Sequence, residues 1–355
     1  MSLSELLDAA TPGAIKRFAP HEHPHLHASL NKSAPIPLDA GDVGLLKSTL
    51  LPSFGIQSGL SLITYIAARA SDRVELKDWL WPAGQVVDVW WSAVGHRMAK
   101  NGMPFTRALG TLTWNERLLL GGHTLWGTRL FYREVSRSIR RGKEDHHYGL
   151  LKQEDKFWNH AFLRVFLPEA IFRTLATVPL TLALRLGATD AVPVNPEYAR
   201  LIQGVGISLF CVGFVMEVLA DFQLEHHDKK ASLKRDGVWS IVRHPNYLGD
   251  ALMHLSFSTL LYSSGQLHPF AVVGPLANYV FLRYVSGDKR NYLHQGRNYK
   301  TRNTAKFVQL EKRRDHKNSF WPGLYALGNP WTWVMVAVGG AGVVAERMAR
   351  EYFTS

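Results

Sequence analysis

Apolar and polar residues alternate in long blocks along this chain. Eight blocks rich in apolar residues are separated by stretches in which charged residues are frequent. A helix that crosses a bilayer needs roughly 20 residues, so blocks of this length predict membrane-spanning helices. The pattern predicts an all-α polytopic transmembrane helical bundle, with about seven core spans and a C-terminal apolar helix. The apolar blocks are 46–69, 79–96, 117–132, 161–186, 201–221, 248–264, 268–286 and 331–348.

The same pattern divides the chain into three parts. Residues 1–42 are polar, contain proline and are rich in histidine, which predicts a mostly irregular N-terminal arm. Residues 43–305 form the predicted transmembrane domain, and residues 306–355 a basic linker followed by the C-terminal apolar helix. Charged side chains interrupt block 117–132, so the sequence does not decide whether this block crosses the whole membrane. The same holds for the block at 331–348.

The formal net charge of +12 has two explanations, nucleic-acid binding or basic loops on the cytoplasmic side of a membrane. The basic residues gather between apolar blocks, at 133–143, 229–243 and 283–317. This distribution favours an integral, multi-pass membrane protein with no nucleic-acid partner. It would lie in the endoplasmic reticulum membrane if the chain is eukaryotic. A single cysteine, Cys211, excludes an intrachain disulfide and a Cys-rich metal site.

Two formal motifs do not fit their usual context. His21-Glu22-His23-Pro24-His25 matches H-E-x-x-H, but Pro24 would break the helix that this zinc motif needs. No metal site is therefore predicted. Gly340-Ala-Gly-Val-Val-Ala345 matches a dinucleotide fingerprint, but only ten residues follow it, and the fingerprint needs an acidic residue about 20 positions on. A small-residue packing face in the last helix is the better interpretation.

The densest polar sequence in the chain leads directly into the apolar run 251–264. Arg243, His244, Asn246, Tyr247 and Asp250 lie within eight positions. A bilayer penalises such groups unless they pair or bind something. We therefore expect a polar ligand to be held there, at one face of the membrane.

Three other polar groups occur near segment ends. Glu217 and Asp221 are four positions apart near the end of the fifth apolar block, where they either face a partner or are solvated at the interface. Arg129 lies in an apolar run, and a structural ion pair with Asp221 or Glu169 is the simplest explanation. The basic, tyrosine-containing stretch 289–302 suits a phosphate-bearing aromatic cofactor, or is an ordinary basic loop near anionic lipid.

These residues together resemble the steroid 5α-reductase-like membrane reductases, in the branch described only as an uncharacterised reductase-like domain. The resemblance covers about 115–305. It rests on three sequences that occur in the expected order, which are Trp126-Gly-Thr-Arg129-Leu with Arg133 and Asp145-x-x-Tyr148, Glu217-x-x-x-Asp221-x-Gln223, and Gly237-Val-Trp-Ser-Ile-Val-Arg-His-Pro-Asn-Tyr-Leu-Gly-Asp250.

The resemblance implies NADPH held on the cytoplasmic side and hydride delivery to an activated carbon–carbon double bond. The substrate would be steroid-like or otherwise lipophilic. The negative charge that develops on a substrate oxygen would be stabilised by a hydroxyl, a protonated imidazole or a guanidinium, with Tyr247 and His244 as the candidate catalytic residues. By position, the cofactor site would comprise Asp221, Arg243, Asn246, Tyr247, Asp250, Tyr292 and Tyr299.

Two alternatives share part of these features. Isoprenylcysteine and phospholipid methyltransferases, which bind S-adenosylmethionine, share the Arg-His-Pro-x-Tyr core, and a non-catalytic lipid-binding membrane protein would also contact membrane lipid. Asn246 and Asp221 favour the reductase. The chain departs from the family at Asp250, where many members have glutamate. It also lacks a match to the glutamate and tyrosine with which the 5α-reductases polarise their substrate.

Loop charges predict an orientation in the membrane. The loop at 187–200 is the least basic long connection, so we expect it on the non-cytoplasmic side, opposite 133–160, 222–247 and 287–330. A glycosylation acceptor inserted near Pro193 should be modified, and one near Lys234 should not. Gel mobility with and without a glycosidase measures this, and the reverse pattern would contradict the orientation.

Overall fold

The computed structural model describes residues 40–144, 146–149, 151–186, 194–227, 233–285, 293, 295–296, 299–300, 304–316, 318 and 320–354. The chain divides into two compact units, Met1–Leu45 and Leu46–Ser355. The first lies almost wholly outside the described residues, and with it the predicted N-terminal arm and its histidines. The fold below is that of the second unit.

The described residues form helices joined by short turns, and no strand occurs among them. This confirms the all-α prediction. The α-helices are α1 Ala40–Ser71, α2 Leu76–Trp90, α3 His96–Asn101, α4 Phe105–Gly110, α5 Trp114–Arg141, α6 His146–Gly149, α7 Phe157–Ala161, α8 Leu167–Leu186, α9 Pro196–Glu225, α10 Pro245–Ser263, α11 Val273–Val280, α12 Thr304–His316 and α13 Pro330–Thr354. Short π-helical turns at Trp91–Gly95, Phe162–Phe166 and Phe281–Val285 join or extend some of them.

Three described helical stretches are long and apolar enough to cross a membrane. They are Leu46–Ser71, Phe157–Arg185 and Pro196–Glu225, and they match three of the predicted blocks. Membrane character is therefore supported, but the predicted number of about seven spans is not confirmed. Block 117–132 shows one reason, because it lies in α5, a helix that runs on to Arg141 with charged residues along its length.

Local sequence signals set the ends of the helices around the site. Thr113 and Glu116 form a reciprocal capping box at the start of α5, and Gly142 ends that helix with a φ of 68°. The side chain of Asn195 accepts a hydrogen bond from the backbone of Glu197 at the start of α9. Proline occupies the first turn of both α9 and α10, where its missing N–H costs no helical hydrogen bond.

The backbones of α9 and α10 approach closely at two facing glycines. A β-carbon added to Gly213 would lie 2.5 Å from the carbonyl oxygen of Gly249, and one added to Gly249 would lie 2.5 Å from the carbonyl oxygen of Gly213. Real β-carbons do not approach that closely, so both positions require glycine. The contact places the acidic end of α9 directly against the first turns of α10.

The last helix packs on α9 through small residues, as predicted. Gly339 faces Ser208 and Gly342 faces Cys211, with no room for a β-carbon at either glycine. The formal dinucleotide fingerprint thus lies inside the continuous helix α13, Pro330–Thr354, and not in a strand-turn-helix unit. Cys211 is a partly buried packing residue at this contact.

Helices α1, α2 and α8 share a buried polar network. The guanidinium of Arg173, 1% exposed, donates to Gln57 Oε1 at 2.9 Å and to Ser61 Oγ at 2.6 Å. Glu169 pairs with Lys77 at 2.6 Å. Buried ionic groups are tolerated when they are paired and hydrogen-bonded in this way, so the polar residues on these helices fix their mutual register.

Replacement of Gly249 with alanine tests the close contact of α9 and α10. We expect Gly249→Ala to lower the free energy of unfolding by about 1–3 kcal/mol, since the added methyl group overpacks the interface. Gly340→Ala is the matched control, because Gly340 lies in a helix and has open space at its β-position. Thermal unfolding in detergent measures both. Equal stability of the two variants would contradict the contact.

Candidate functional site

The polar sequence 237–244 forms a loop fixed to the end of α9. Gly237 has a φ of 67°, in the left-handed region that favours glycine, and its position against the side chain of Gln223 leaves no room for a β-carbon. The N–H of Val238 donates to Gln223 Oε1 at 3.1 Å, and the indole of Trp239 donates to the carbonyl of Ala220 at 3.0 Å. The predicted motif therefore begins as a rigid turn.

Residues beyond the predicted transmembrane domain hold the other side of this loop. The guanidinium of Arg313 donates to the carbonyl of Trp239 at 2.7 Å and also to that of Lys234. The hydroxyl of Tyr325 donates to the carbonyl of Ile241 at 2.9 Å. The backbone N–H of Arg243 donates to the carbonyl of Asn318 at 3.1 Å. Arg313 and Tyr325 thus hold the backbone from which the following functional side chains project.

The loop ends where Pro245 begins α10, and two rings stack at this point. His244 and Tyr247 lie 5.2 Å apart between ring centroids, with an interplanar angle of 18°. The ring of Phe320 also stacks near Tyr247, at 6.2 Å. The two predicted catalytic residues are therefore adjacent, held in an aromatic stack.

Several arginines surround this stack. Arg243, Arg313 and Arg283 act electrostatically on His244, whereas Glu134 and Asp221 act on Tyr247 together with Arg133 and Arg137. Burial, together with the first three charges, lowers the pKa of His244 to about 3. The imidazole is thus neutral at pH 7 in this arrangement. It can donate or accept a hydrogen bond there, but it does not add a positive charge.

A buried network of carboxylates and guanidiniums connects α5 to α9. Arg129 pairs with Glu217 at 2.8 Å and also with Asp221, and Arg133 pairs with Asp221 at 2.9 Å. Both carboxylates are about 95% buried. The predicted ion pair between Arg129 and Asp221 is therefore present. Glu169, the other partner considered, pairs with Lys77.

A second polar cluster lies one turn into α10. Asp250 and His254 are in contact, with Oδ1 and Nδ1 3.3 Å apart. Asn278 of α11 donates to Asp250 Oδ2 at 3.4 Å, and His254 Nε2 lies 3.5 Å from Gln85 Oε1 on α2. Glu217 and Asp250 also act on each other electrostatically across the glycine contact. The two polar groups thus form one continuous site across α9 and α10.

Several buried polar atoms at this site have no hydrogen-bond partner among the described residues. They are Asn246 Oδ1, Glu217 Oε2, Asn278 Oδ1, both ring nitrogens of His123 and the indole nitrogen of Trp126. A buried polar group without a partner costs about 1–3 kcal/mol. A bound polar molecule would satisfy such atoms, which makes this part of the molecule a candidate binding site.

The structure brings most of the predicted site residues together, but not all. Asp221, Arg243, Asn246, Tyr247 and Asp250 lie around the α9–α10 contact, together with His244. Tyr299 contacts the ammonium of Lys306, 5.8 Å from its ring centroid, and no described contact joins it to this group. Tyr292 lies outside the described residues. Tyr148, from the upstream pattern, donates to Asp78 at 2.6 Å and so belongs to the polar contacts of α2.

Sequence reasoning missed part of the site. His254 and Asn278 were not predicted, and His123 and Trp126 were not recognised as site residues. Two signals could have found three of them. His254 follows Asp250 at helical spacing i,i+4 and His123 precedes Trp126 at i,i+3, and histidines inside apolar runs are costly unless they have a function. Asn278 could not have been found in this way, because in the sequence it is a single amide within an apolar block.

The described residues define an all-helical protein with three helical stretches apolar enough to cross a membrane and a buried, charged site where α5, α9 and α10 meet. The chain belongs to the family described as protein of unknown function (DUF1295), whose model matches residues 79–313. The predicted membership of a branch with an uncharacterised domain is therefore confirmed, while the relation to the steroid 5α-reductases and the activity stay predictions. No curated protein and no solved structure matches the chain significantly.

Proposed function

We propose that this protein is a multi-pass membrane reductase that uses NADPH to reduce an activated carbon–carbon double bond in a steroid-like or other lipophilic substrate. In a eukaryote its membrane would be that of the endoplasmic reticulum. The observation that carries the proposal is the convergence of three arginine charges on His244, which stacks on Tyr247, together with nearby buried polar atoms that lack partners among the described residues.

The arginine side of the site fits the phosphates of NADPH. Arg137, Arg243 and Arg283 supply charge there, and guanidinium groups bind phosphate with strong, often bidentate hydrogen bonds. Arg133 is already paired with Asp221 and Glu134. Arg313 adds charge as well, although its donors already hold backbone carbonyls. The phosphates of a dinucleotide would offset the mutual repulsion of these cations.

The inner side of the site fits groups that donate hydrogen bonds. Asn246 Oδ1, Glu217 Oε2 and Asn278 Oδ1 are acceptors without partners among the described residues. Ribose hydroxyls and a carboxamide would supply the missing donors. The carboxylates of Glu217 and Asp250, which act on each other electrostatically, would accept from the same donors, whereas Asp221 is paired with Arg133 of the arginine side. One ligand with an anionic end and a donor-rich end satisfies both sides.

NADPH, when bound, would supply the hydride. The chain would orient the substrate and bind its oxygen, and the hydroxyl of Tyr247 and the N–H of neutral His244 are the candidate donors. A site between helices excludes water, which strengthens such hydrogen bonds. Long apolar helices beside it would admit a lipophilic substrate from the bilayer.

The methyltransferase alternative fits the charges less well. S-adenosylmethionine carries a cationic sulfonium and an ammonium but no phosphate, so its cationic groups would add to the positive charge of the arginine side. A lipid-binding protein would satisfy the arginines with a phosphate headgroup, but it would leave the buried inner acceptors without donors. Both alternatives make a different prediction for NADPH binding.

Binding of NADPH to two variants tests the proposal. Arg243→Ala removes a charged side chain but keeps the backbone hydrogen bond to Asn318, and Asn246→Ala removes a buried acceptor. We expect each to weaken NADPH binding by about 1–3 kcal/mol, or roughly 5- to 150-fold, with the protein level unchanged. Fluorescence titration of NADPH against detergent-purified protein at fixed salt gives the dissociation constants.

Arg164→Ala is the matched control, because Arg164 is an exposed arginine whose partner, Glu154, is also exposed. It should bind NADPH like the unmodified protein. If Arg243→Ala and Asn246→Ala also bind NADPH normally, the cofactor site is wrong. Tight binding of S-adenosylmethionine in place of NADPH would favour the methyltransferase.

A further inference from the structure

Two aromatic side chains on α5 carry polar atoms that the proposed cofactor site does not use. His123 and Trp126 are 1% and 0% exposed, and their rings lie 5.0 Å apart between centroids. Both ring nitrogens of His123 and the indole nitrogen of Trp126 lack a hydrogen-bond partner among the described residues. Three adjacent polar atoms are thus buried in the bundle without an explanation from the described part of the protein.

An apolar aromatic ring and a second histidine surround this pair. Phe257 lies 5.4 Å from the ring of His123. The ring of His254 lies 5.1 Å from that of Trp126, and His254 in turn contacts Asp250. One histidine therefore separates the pair from a residue of the proposed cofactor site.

We propose that His123 and Trp126 bind the oxygen atom of the lipophilic substrate, a carbonyl conjugated to the double bond that is reduced. This rests on the proposed function. Neutral imidazole offers one donor and one acceptor, and indole offers one donor. Together they supply the two donors that a carbonyl oxygen accepts, while the aromatic rings around them contact the apolar body of the substrate.

The pair would also act on the reaction. As hydride reaches the β-carbon, the electron pair of the double bond moves and negative charge develops on the carbonyl oxygen. Two donors aimed at that oxygen stabilise the charge. The α-carbon then takes up one proton, which comes ultimately from bulk solvent, so that the conjugated ketone, NADPH and H⁺ give the saturated ketone and NADP⁺. His123 and Trp126 would thus bind the substrate oxygen in place of Tyr247 and His244, which the sequence offered as the candidates for this role.

Two probe molecules test the assignment directly. Cholest-4-en-3-one carries a conjugated carbonyl, and cholest-4-ene is the same molecule without the oxygen. A site that hydrogen-bonds an oxygen discriminates against the analogue that lacks it. We expect the unmodified protein to bind the ketone at least roughly 10-fold more tightly in detergent micelles. His123→Phe and Trp126→Phe should lose this preference and should lower NADPH-dependent turnover of the ketone about 100-fold or more.

Two measurements separate this proposal from the cofactor proposal and from simple misfolding. Both variants should unfold at or above the temperature of the unmodified protein, since each loses buried polar atoms without partners among the described residues, and both should bind NADPH unchanged. Phe210→Leu, at a neighbouring aromatic without a polar atom, should keep the preference for the ketone. Equal binding of the two probes by the unmodified protein, or binding of neither, would overturn the assignment while NADPH binding could still stand.

Discussion

The close approach of α9 and α10 at Gly213 and Gly249 is the contact on which the rest of the site depends. It lets the two backbones meet with no intervening side chains, and so it sets Glu217 against the first turns of α10. The loop 237–244 can then seat Trp239 on α9 and still deliver its polar residues to the start of α10. A larger residue at either glycine would separate the acidic helix end from the Arg-His-Pro-Asn-Tyr sequence.

The buried polar side chains of this protein form two kinds of network, which differ in how many of their hydrogen bonds are made. The network of Arg173, Gln57 and Ser61 is well satisfied by its own partners and holds helices together. The site at α9 and α10 is partly satisfied among the described residues, with guanidinium–carboxylate pairs on α5 and α9 and acceptors left open nearby. A satisfied network stabilises the fold, whereas open polar atoms retain the capacity to bind a ligand.

The apolar pattern was enough to predict an all-helical fold, the three most apolar spans and the small-residue face of α13. The number of spans that the apolar pattern predicted is not confirmed. Helix α5 extends past its apolar block, and it carries charged residues whose partners lie on α9. Four site residues were predictable because they lie in two motifs that are near each other in the sequence. They are Asp221, Arg243, Asn246 and Asp250. His123, Trp126 and Asn278 come from other helices, and only tertiary packing brings Asn278 to Asp250 and the other two to His254.

The identity of the molecule that satisfies the open polar atoms is the central question about this site. Native mass spectrometry of detergent-purified protein, released gently from its micelle, measures the mass of that molecule directly, whatever the substrate is. We expect a bound mass equal to NADP⁺ or NADPH, one per chain, that added NADPH increases and added S-adenosylmethionine does not displace. A bound mass of S-adenosylmethionine, or no adduct even with excess NADPH, would contradict the reductase.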